Sequence, residues 1–361
     1  MRLVTAIFLA LASSALLPPA AAQGPESKSL VQEATDLFFQ GKYESCVAVA
    51  EKAVALAEVE RNPRHPIVAI ALNRLAECHR AQGQFAAAEP LYKRALEIRE
   101  RARGAESRET AQSLGNLALL YARQGRYEEA EPLFRRGLAI SEKIQGDDFE
   151  TGKLLNGLAE LLQDRNRIDD AEPLYRRALA IWEKMRASGQ PPPGVVNQTV
   201  LSLNALAAIG VQRGRMEEAE TLYKRAIELI EDSRDRDHPL MSRSLGGLAA
   251  LYARKGEVAS AEVLYKRAIA ILEESIDRDH PRMATLLYGL SRLYAGRGEY
   301  VAAEALLKRA LEIRLSALGP AHPDVATTLE RLADVYTSEG KTAEAKSAAE
   351  RAAAIRSKSK S

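Results

Sequence analysis

At 361 residues, 46% apolar and 28% charged, the chain carries hydrophobic material for a large folded protein, and length alone would divide it into two ordinary domains. A formal charge of +2 supplies no field to gather nucleic acid or an anionic bilayer, and two cysteines exclude a disulfide framework of the small secreted kind.

The first 22 residues differ from all that follow. Met1 and Arg2 form a short basic start, Leu3 to Leu17 an apolar core, and Pro18 to Ala22 a small-residue end. This is the pattern of a secretory signal peptide, with cleavage expected between Ala22 and Gln23. The core falls short of the ~20 residues that a membrane anchor needs. No cysteine at the cleavage point offers a lipid attachment site. The expected product is exported, to the periplasm or beyond the cell, with no later apolar stretch of spanning length.

From residue 27 to about 356 one pattern recurs eight times. Its small anchor residues are Cys46, Ala88, Ala130, Ala171, Ala219, Ala261, Ala303 and Ala345, spaced 42, 42, 41, 48, 42, 42 and 42 apart. A fixed period of this size marks a helical solenoid, each unit burying its apolar face only against its neighbours. Within one unit, Leu72, Leu75, Ala76 and His79 recur at helical spacing, Gly83 turns the chain, and Ala88, Leu91, Tyr92 and Ala95 recur again. The turn residue is glycine at 41, 83, 125, 214, 256, 298 and 340, and Asn166 once, the residue that best tolerates a left-handed backbone after glycine. Alanines at 76, 118, 159, 207, 249 and 333 face those at the anchor positions, which predicts close approach of the two helices.

Gly83-Gln84-Phe85 followed by Ala88-Glu89-Pro90-Leu91-Tyr92-Lys93-Arg94-Ala95-Leu96 resembles the tetratricopeptide repeat of the kinesin light chain type, and the string returns at 125–138 and 214–227. The usual period of that family is 34 residues; eight more add about 12 Å of helix per pair. The resemblance implies an all-α fold, an α-solenoid of eight helix-turn-helix repeats in a right-handed superhelix. The expected divisions are a signal peptide at 1–22, repeats one to four at 23–187, a proline-rich insertion at 188–194, repeats five to eight at 195–356 and a polar tail at 357–361.

Other features read as structural. His65-Pro66, His238-Pro239, His280-Pro281 and His322-Pro323 open first helices, where proline loses nothing and forces the preceding residue out of helical geometry. These histidines stand one repeat or more apart, too far to share a metal. Six basic pairs, from Lys93-Arg94 to Lys308-Arg309, suggest a nucleic-acid stripe. Glutamate four residues before each pair, from Glu89 to Glu304, neutralises it through helix ion pairs. Cys46 and Cys78 lie on helices of neighbouring repeats; a bridge is conceivable, but two buried thiols at alanine-like positions are the expectation. Pro90, Pro132 and Pro173 fall where the second helices should run, so those helices either begin late or bend. The insertion, with Pro191, Pro192 and Pro193, reads as a surface bulge or a joint. Ala50 and Ala349 replace the large residue of the interior repeats and suit exposed ends of the stack.

No phosphate loop, nucleophile elbow or zinc motif is present, so neither an enzyme nor a cofactor is expected. The family resemblance assigns ligand binding to the groove lined by first helices, with a peptide or protein partner. Ten residues before the turn stand Asn73, Asn156 and Asn204, with Asn116 one place later in its repeat; their amides could pair with the backbone of a bound peptide. Glu77, Arg80, Arg123, Glu160, Arg243, Arg254, Tyr288 and Arg292 complete the candidate groove. The asparagines are placed outside the leucine core, so that alanine at 73, 156 and 204 should spare folding. The alternatives are that they merely face solvent or cap local backbone, and that the chain is a self-associating structural element, a homo-oligomer with an empty groove.

Overall fold

The computed structural model describes residues 26–233, 239–274 and 281–358. Sixteen α-helices and no strand occur among the described residues. In chain order they are α1 (Glu26–Phe39), α2 (Tyr43–Glu60), α3 (Pro66–Ala81), α4 (Phe85–Arg103), α5 (Arg108–Arg123), α6 (Tyr127–Gln145), α7 (Phe149–Asp164) and α8 (Ile168–Ala187). They continue with α9 (Val195–Gln212), α10 (Met216–Asp232), α11 (Pro239–Lys255), α12 (Val258–Glu274), α13 (Pro281–Gly296), α14 (Tyr300–Leu318), α15 (Pro323–Ser338) and α16 (Thr342–Lys358). The fold is an all-α solenoid of helix pairs, odd helices first and even helices second. The signal-peptide reading and two of the four His-Pro openings, at 238 and 280, lie outside the described residues.

The turn between paired helices repeats one hydrogen-bond pattern. Gly83 N–H donates to Arg80 C=O at 3.0 Å and Gln84 N–H to His79 C=O at 2.9 Å, a Schellman closure with Gly83 left-handed at φ 73°. Asn166, at φ 57°, closes α7 the same way: its own N–H reaches Gln163 C=O and that of Arg167 reaches Leu162 C=O. The openings use different chemistry for one job. His65 and His322 accept through Nδ1 from Ile67 N–H and Asp324 N–H, so each histidine caps its helix while the following proline fills the first position. Ser107 and Asp148 do the same for α5 and α7. Pro90, Pro132 and Pro173 lie inside α4, α6 and α8, which begin ahead of them; the late start is overturned, and each helix forgoes one internal hydrogen bond.

The described residues form two compact units, divided between Leu133 and Phe134. In the first, Ala57, Ile67, Val68, Leu72, Ala95 and Ile98 make one core cluster, and Ala34, Cys46, Ala50, Leu75 and Cys78 another. Cys46 and Cys78 are bridged, with Cα atoms 5.9 Å apart, which corrects the expectation of two free thiols. Ala50 is fully buried beside the bridge rather than exposed at an end; a larger residue would leave no room for α2 to approach α3 so closely. Ala349, at the other terminus, is exposed as expected.

In the second unit one cluster runs from Val200 through Tyr223, Leu245, Tyr265 and Leu290 to Ile313. Aromatic rings of the second helices seat on glycines of the next first helix. A Cβ on Gly157 would lie 2.6 Å from the Phe134 ring, one on Gly247 2.4 Å from the Tyr223 ring, and one on Gly289 2.5 Å from Tyr265. Trp182 of α8, fully buried, turns instead to its own pair, sitting on Gly152 of α7 and meeting Phe149 edge to face at 5.4 Å. Helix α9 is long and apolar enough to cross a membrane, contrary to the sequence expectation, but 61% of it is buried among its neighbours. The residues 188–194 connect α8 to α9.

The basic pairs are neutralised twice over. Glu89 takes Lys93 of its own helix at 2.7 Å, and from the next repeat Arg126 at 2.7 Å and the Tyr121 hydroxyl at 3.1 Å. Glu220 collects Lys224, Lys255 and Tyr252, Glu262 collects Lys266, Arg297 and Tyr294, and Glu304 collects Lys308 and Lys341. The second basic residue reaches the preceding second helix: Arg94 to Glu58, Arg225 to Glu183, Arg267 to Glu231 and Arg309 to Glu273. The helical pairing expected within one element is present, and ties between repeats are added to it.

Candidate functional site

The candidate groove residues lie on first helices. Helix α3 carries Asn73, Glu77 and Arg80; α5 carries Asn116 and Arg123; α7 carries Asn156 and Glu160; α9 carries Asn204; α11 carries Arg243 and Arg254; α13 carries Tyr288 and Arg292. The structure gathers only some of them.

In the first unit a recess of about 320 Å³ opens between α1, α3 and α5, with the end of α4 as its rim. Asn73, Glu77 and Asn116 line it, joined by Arg74, Arg99, Arg103, Glu109 and Gln112, and by the apolar Val31 and Ile70. Glu77 is held by Arg74 at 2.5 Å. Arg99, only 5% exposed, donates through Nη1 to Glu109 C=O, Gln112 Oε1 and Ser113 Oγ, each at 3.0 Å. Asn73 is 6% exposed, and neither its Nδ2 nor its Oδ1 meets a hydrogen-bond partner. A buried amide left so is costly, on the order of 1–3 kcal/mol, unless a ligand or water supplies its complement. Arg80 and Glu77 lie close enough to Tyr92 for their charges to bear on its hydroxyl, whose pKa is raised by burial first and by Glu77 next.

The other two asparagines have different surroundings. Asn156 donates to Gln198 Oε1 at 3.1 Å and accepts from Ser202 Oγ at 2.8 Å, so it joins α7 to α9 across the proline-rich connection. Asn204 is 2% exposed and its amide is unpartnered. All three are thus buried, not outside the core. They occupy the register at which one first helix packs on the next, and alanine there will disturb packing as well as any ligand.

In the second unit a larger cavity, about 600 Å³, lies between α11, α13 and the entry to α15. Arg243 lines it, with Arg282 and Arg314. Glu160 and Arg243 bear in opposite senses on the buried Tyr175 hydroxyl, and Arg292 bears on that of Tyr265, so these three candidates cluster around buried phenols. Tyr288 is covered by the Arg314 guanidinium, 5.2 Å above its ring. Arg123 and Arg254 are exposed and line neither cavity.

Arg99 and Arg314 are the residues that sequence reasoning missed. Both stand eleven places after an anchor, at a register filled elsewhere by Ala57, Ser141, Trp182, Ile230, Leu272 and Arg356, the last paired with Glu330. An arginine at that register inside the array, where four other repeats carry Ala57, Trp182, Ile230 and Leu272, was the available signal. Among the described residues no group of three His, Cys, Asp or Glu is placed to hold a metal.

The tetratricopeptide repeat profile matches residues 26–101, 68–143, 109–184, 198–274, 246–316 and 282–358, and a second profile of the same repeat matches 156–234. The chain belongs to the tetratricopeptide repeat family. No curated protein matches it. Among solved structures it is similar to the apo form of the quorum sensor NprR from B. thuringiensis, at 12% identity over 91% of this chain and 87% of that one, with TM-score 0.65. The Rap conjugation gene regulator of plasmid pLS20, in complex with the Phr peptide, is 14% identical over 92% of this chain and 96% of its own, with TM-score 0.60. A putative kinesin light chain of P. anserina is 22% identical over 70% of this chain and 98% of its own, with TM-score 0.30. With the quorum sensor and the Rap regulator the likeness, at these identities, is one of fold.

Proposed function

We propose that this tetratricopeptide repeat protein is a non-enzymatic scaffold of the cell envelope that holds a peptide segment of a partner against its first helices. The observation that carries this reading is the recess of the first unit, where the buried amide of Asn73 lacks both donor and acceptor beside the Arg74–Glu77 ion pair. An extended backbone offers that amide one C=O and one N–H at once. The Rap regulator solved with a peptide shares the fold over most of both chains. Export is supported by the Cys46–Cys78 bridge, since disulfides persist in oxidising compartments.

The test uses the full chain from Gln23 and an array of peptides from envelope proteins of its source. Asn73→Ala is expected to lower peptide affinity at least tenfold with helix content unchanged, while Asn156→Ala, which cuts a tie between helices, should lower stability first. Unchanged affinity in Asn73→Ala would sink the reading, and concentration-dependent mass without peptide capture would favour self-association. Export is tested by N-terminal sequencing of the envelope fraction: Gln23 is expected, and an intact Met1 there would refute it.

A further inference from the structure

The first repeat is joined to the second unlike any later neighbours. Every later interface carries a buried alanine at the anchor of one repeat and a buried leucine, isoleucine or valine five places before the turn of the next, from Ala88 with Leu120 to Ala303 with Val335. Cys46 and Cys78 fill those two registers between α2 and α3, without exposure, and are bridged. The rest of the first repeat offers little in place of the missing apolar side chain. The buried residues of α1 and α2 are Ser27, Ala34, Cys46, Ala50, Ala53 and Ala57, whereas α7 alone buries five leucines between Leu154 and Leu162. Apolar burial drives docking in proportion to area, so this interface is weakly driven. The ion pair of Glu58 with Arg94 is partly exposed and adds little. Cys46 Sγ lies 3.2 Å from Ala34 C=O, so the bridge sits where α1, α2 and α3 meet. Helix α1 in turn helps to build the recess: Val31 lines it, and Phe38 lies under Arg74, which holds Glu77.

We infer that the bridge is an oxidation-dependent latch: the first repeat docks on the second, and so completes the recess, only once Cys46 and Cys78 are joined. A small disulfide such as glutathione disulfide is the oxidant. One cysteine thiolate attacks it and expels a first thiol; the other attacks the mixed disulfide and expels a second. The two cysteines give up two protons and two electrons, and the S–S bond of the oxidant is exchanged for that of the protein. Neither sulfur is exposed when the repeat is docked, so exchange takes place with α1 and α2 open, and closure then shields the bridge from reductant. The recess is thereby complete in an oxidising compartment and lacks its α1 wall in a reducing one. Docking does not depend on what the recess holds; only its consequence for a bound peptide rests on the function proposed above.

The experiment reads hydrogen exchange by mass spectrometry in the chain from Gln23, bridged, and again after unfolding and refolding in a phosphine reductant. Two further chains carry Cys46→Ala, one with Cys78→Ala and one with Cys78→Leu, the latter restoring the pair of residues found at later interfaces. Exchange in α1 and α2 is expected to be at least tenfold faster in the reduced chain and with Cys78→Ala, while α15 and α16 are unchanged. With Cys78→Leu, α1 and α2 should stay protected whether or not reductant is present. Equal protection of α1 and α2 in the bridged and reduced chains would overturn the latch, as would a loss spread evenly to α15 and α16. An array peptide that the bridged chain binds and Asn73→Ala does not should bind the reduced chain at least tenfold more weakly. Equal binding by both would overturn the link between docking and recess. A bridged chain that binds no array peptide would overturn the proposed function alone, the latch still being decided by exchange.

Discussion

The glycines of the first helices and the rings that cover them form a lock at single-residue scale. Gly152 leaves space for the indole of Trp182, and a methyl there would come within 2.4 Å of ring carbons that are fully buried and cannot retreat. Alanine favours helix over glycine by about 1 kcal/mol, but overpacking a tight core costs about 1–3 kcal/mol. Gly152→Ala should therefore lower stability in urea unfolding by roughly 1–2 kcal/mol. Gly296, with open space around its Cα, is the contrast: Gly296→Ala should be neutral or raise stability by about 0.5 kcal/mol in the same assay. The turn glycines and Asn166 were legible in the sequence because a left-handed residue leaves a chemical signature. The ring–glycine contacts were not, since each joins residues about 23 to 30 apart through a helix–helix register that spacing does not specify.

Helices are tied to one another by glutamates that collect cations from two repeats. Hydrogen bonds from Lys224 and then Lys255 hold Glu220 down to about 2, and those from Lys266 and then Arg297 hold Glu262 there too. Glu89 and Glu304 behave alike. A carboxylate whose pKa is lower in the folded chain stabilises it fully above the unfolded value, and that contribution fades as pH falls. Stability should thus be level near neutrality and decline from about pH 4.5 towards 2, measured by urea midpoint against pH. Glu220→Gln should make the decline shallower and cost roughly 1 kcal/mol at pH 7. The Cys46–Cys78 bridge closes a loop of 32 residues between α2 and α3. Chain entropy assigns such a loop about 3–4 kcal/mol. Reduction should therefore speed hydrogen exchange in α1 to α3 and leave α15 and α16 unchanged; equal effects at both ends would contradict a local staple.

For the whole molecule the consequence of repetition is that stability is local, because each pair of helices contacts chiefly its neighbours. Gly289→Ala, which would drive a methyl against the Tyr265 hydroxyl, should loosen hydrogen exchange in α11 to α14 while α1 to α4 keep their protection. A uniform loss of protection would show instead that the chain unfolds as one cooperative body.

By itself the sequence determined the repeat, its register, the helix pairs, their turns and the neutrality of the basic stripe, because each of these follows from short-range periodicity, capping chemistry and charges a few residues apart. Tertiary structure decided what depends on how one repeat faces the next. It joined Cys46 to Cys78, turned Asn156 into a tie between α7 and α9, and left Asn73 unpartnered in a recess. It also set Arg314 against Arg243 across a cavity that no single repeat contains. Repeats with nearly the same sequence pack alike, and the differences in cavity lining arise where one of them carries an arginine or an asparagine into a space shared with its neighbour.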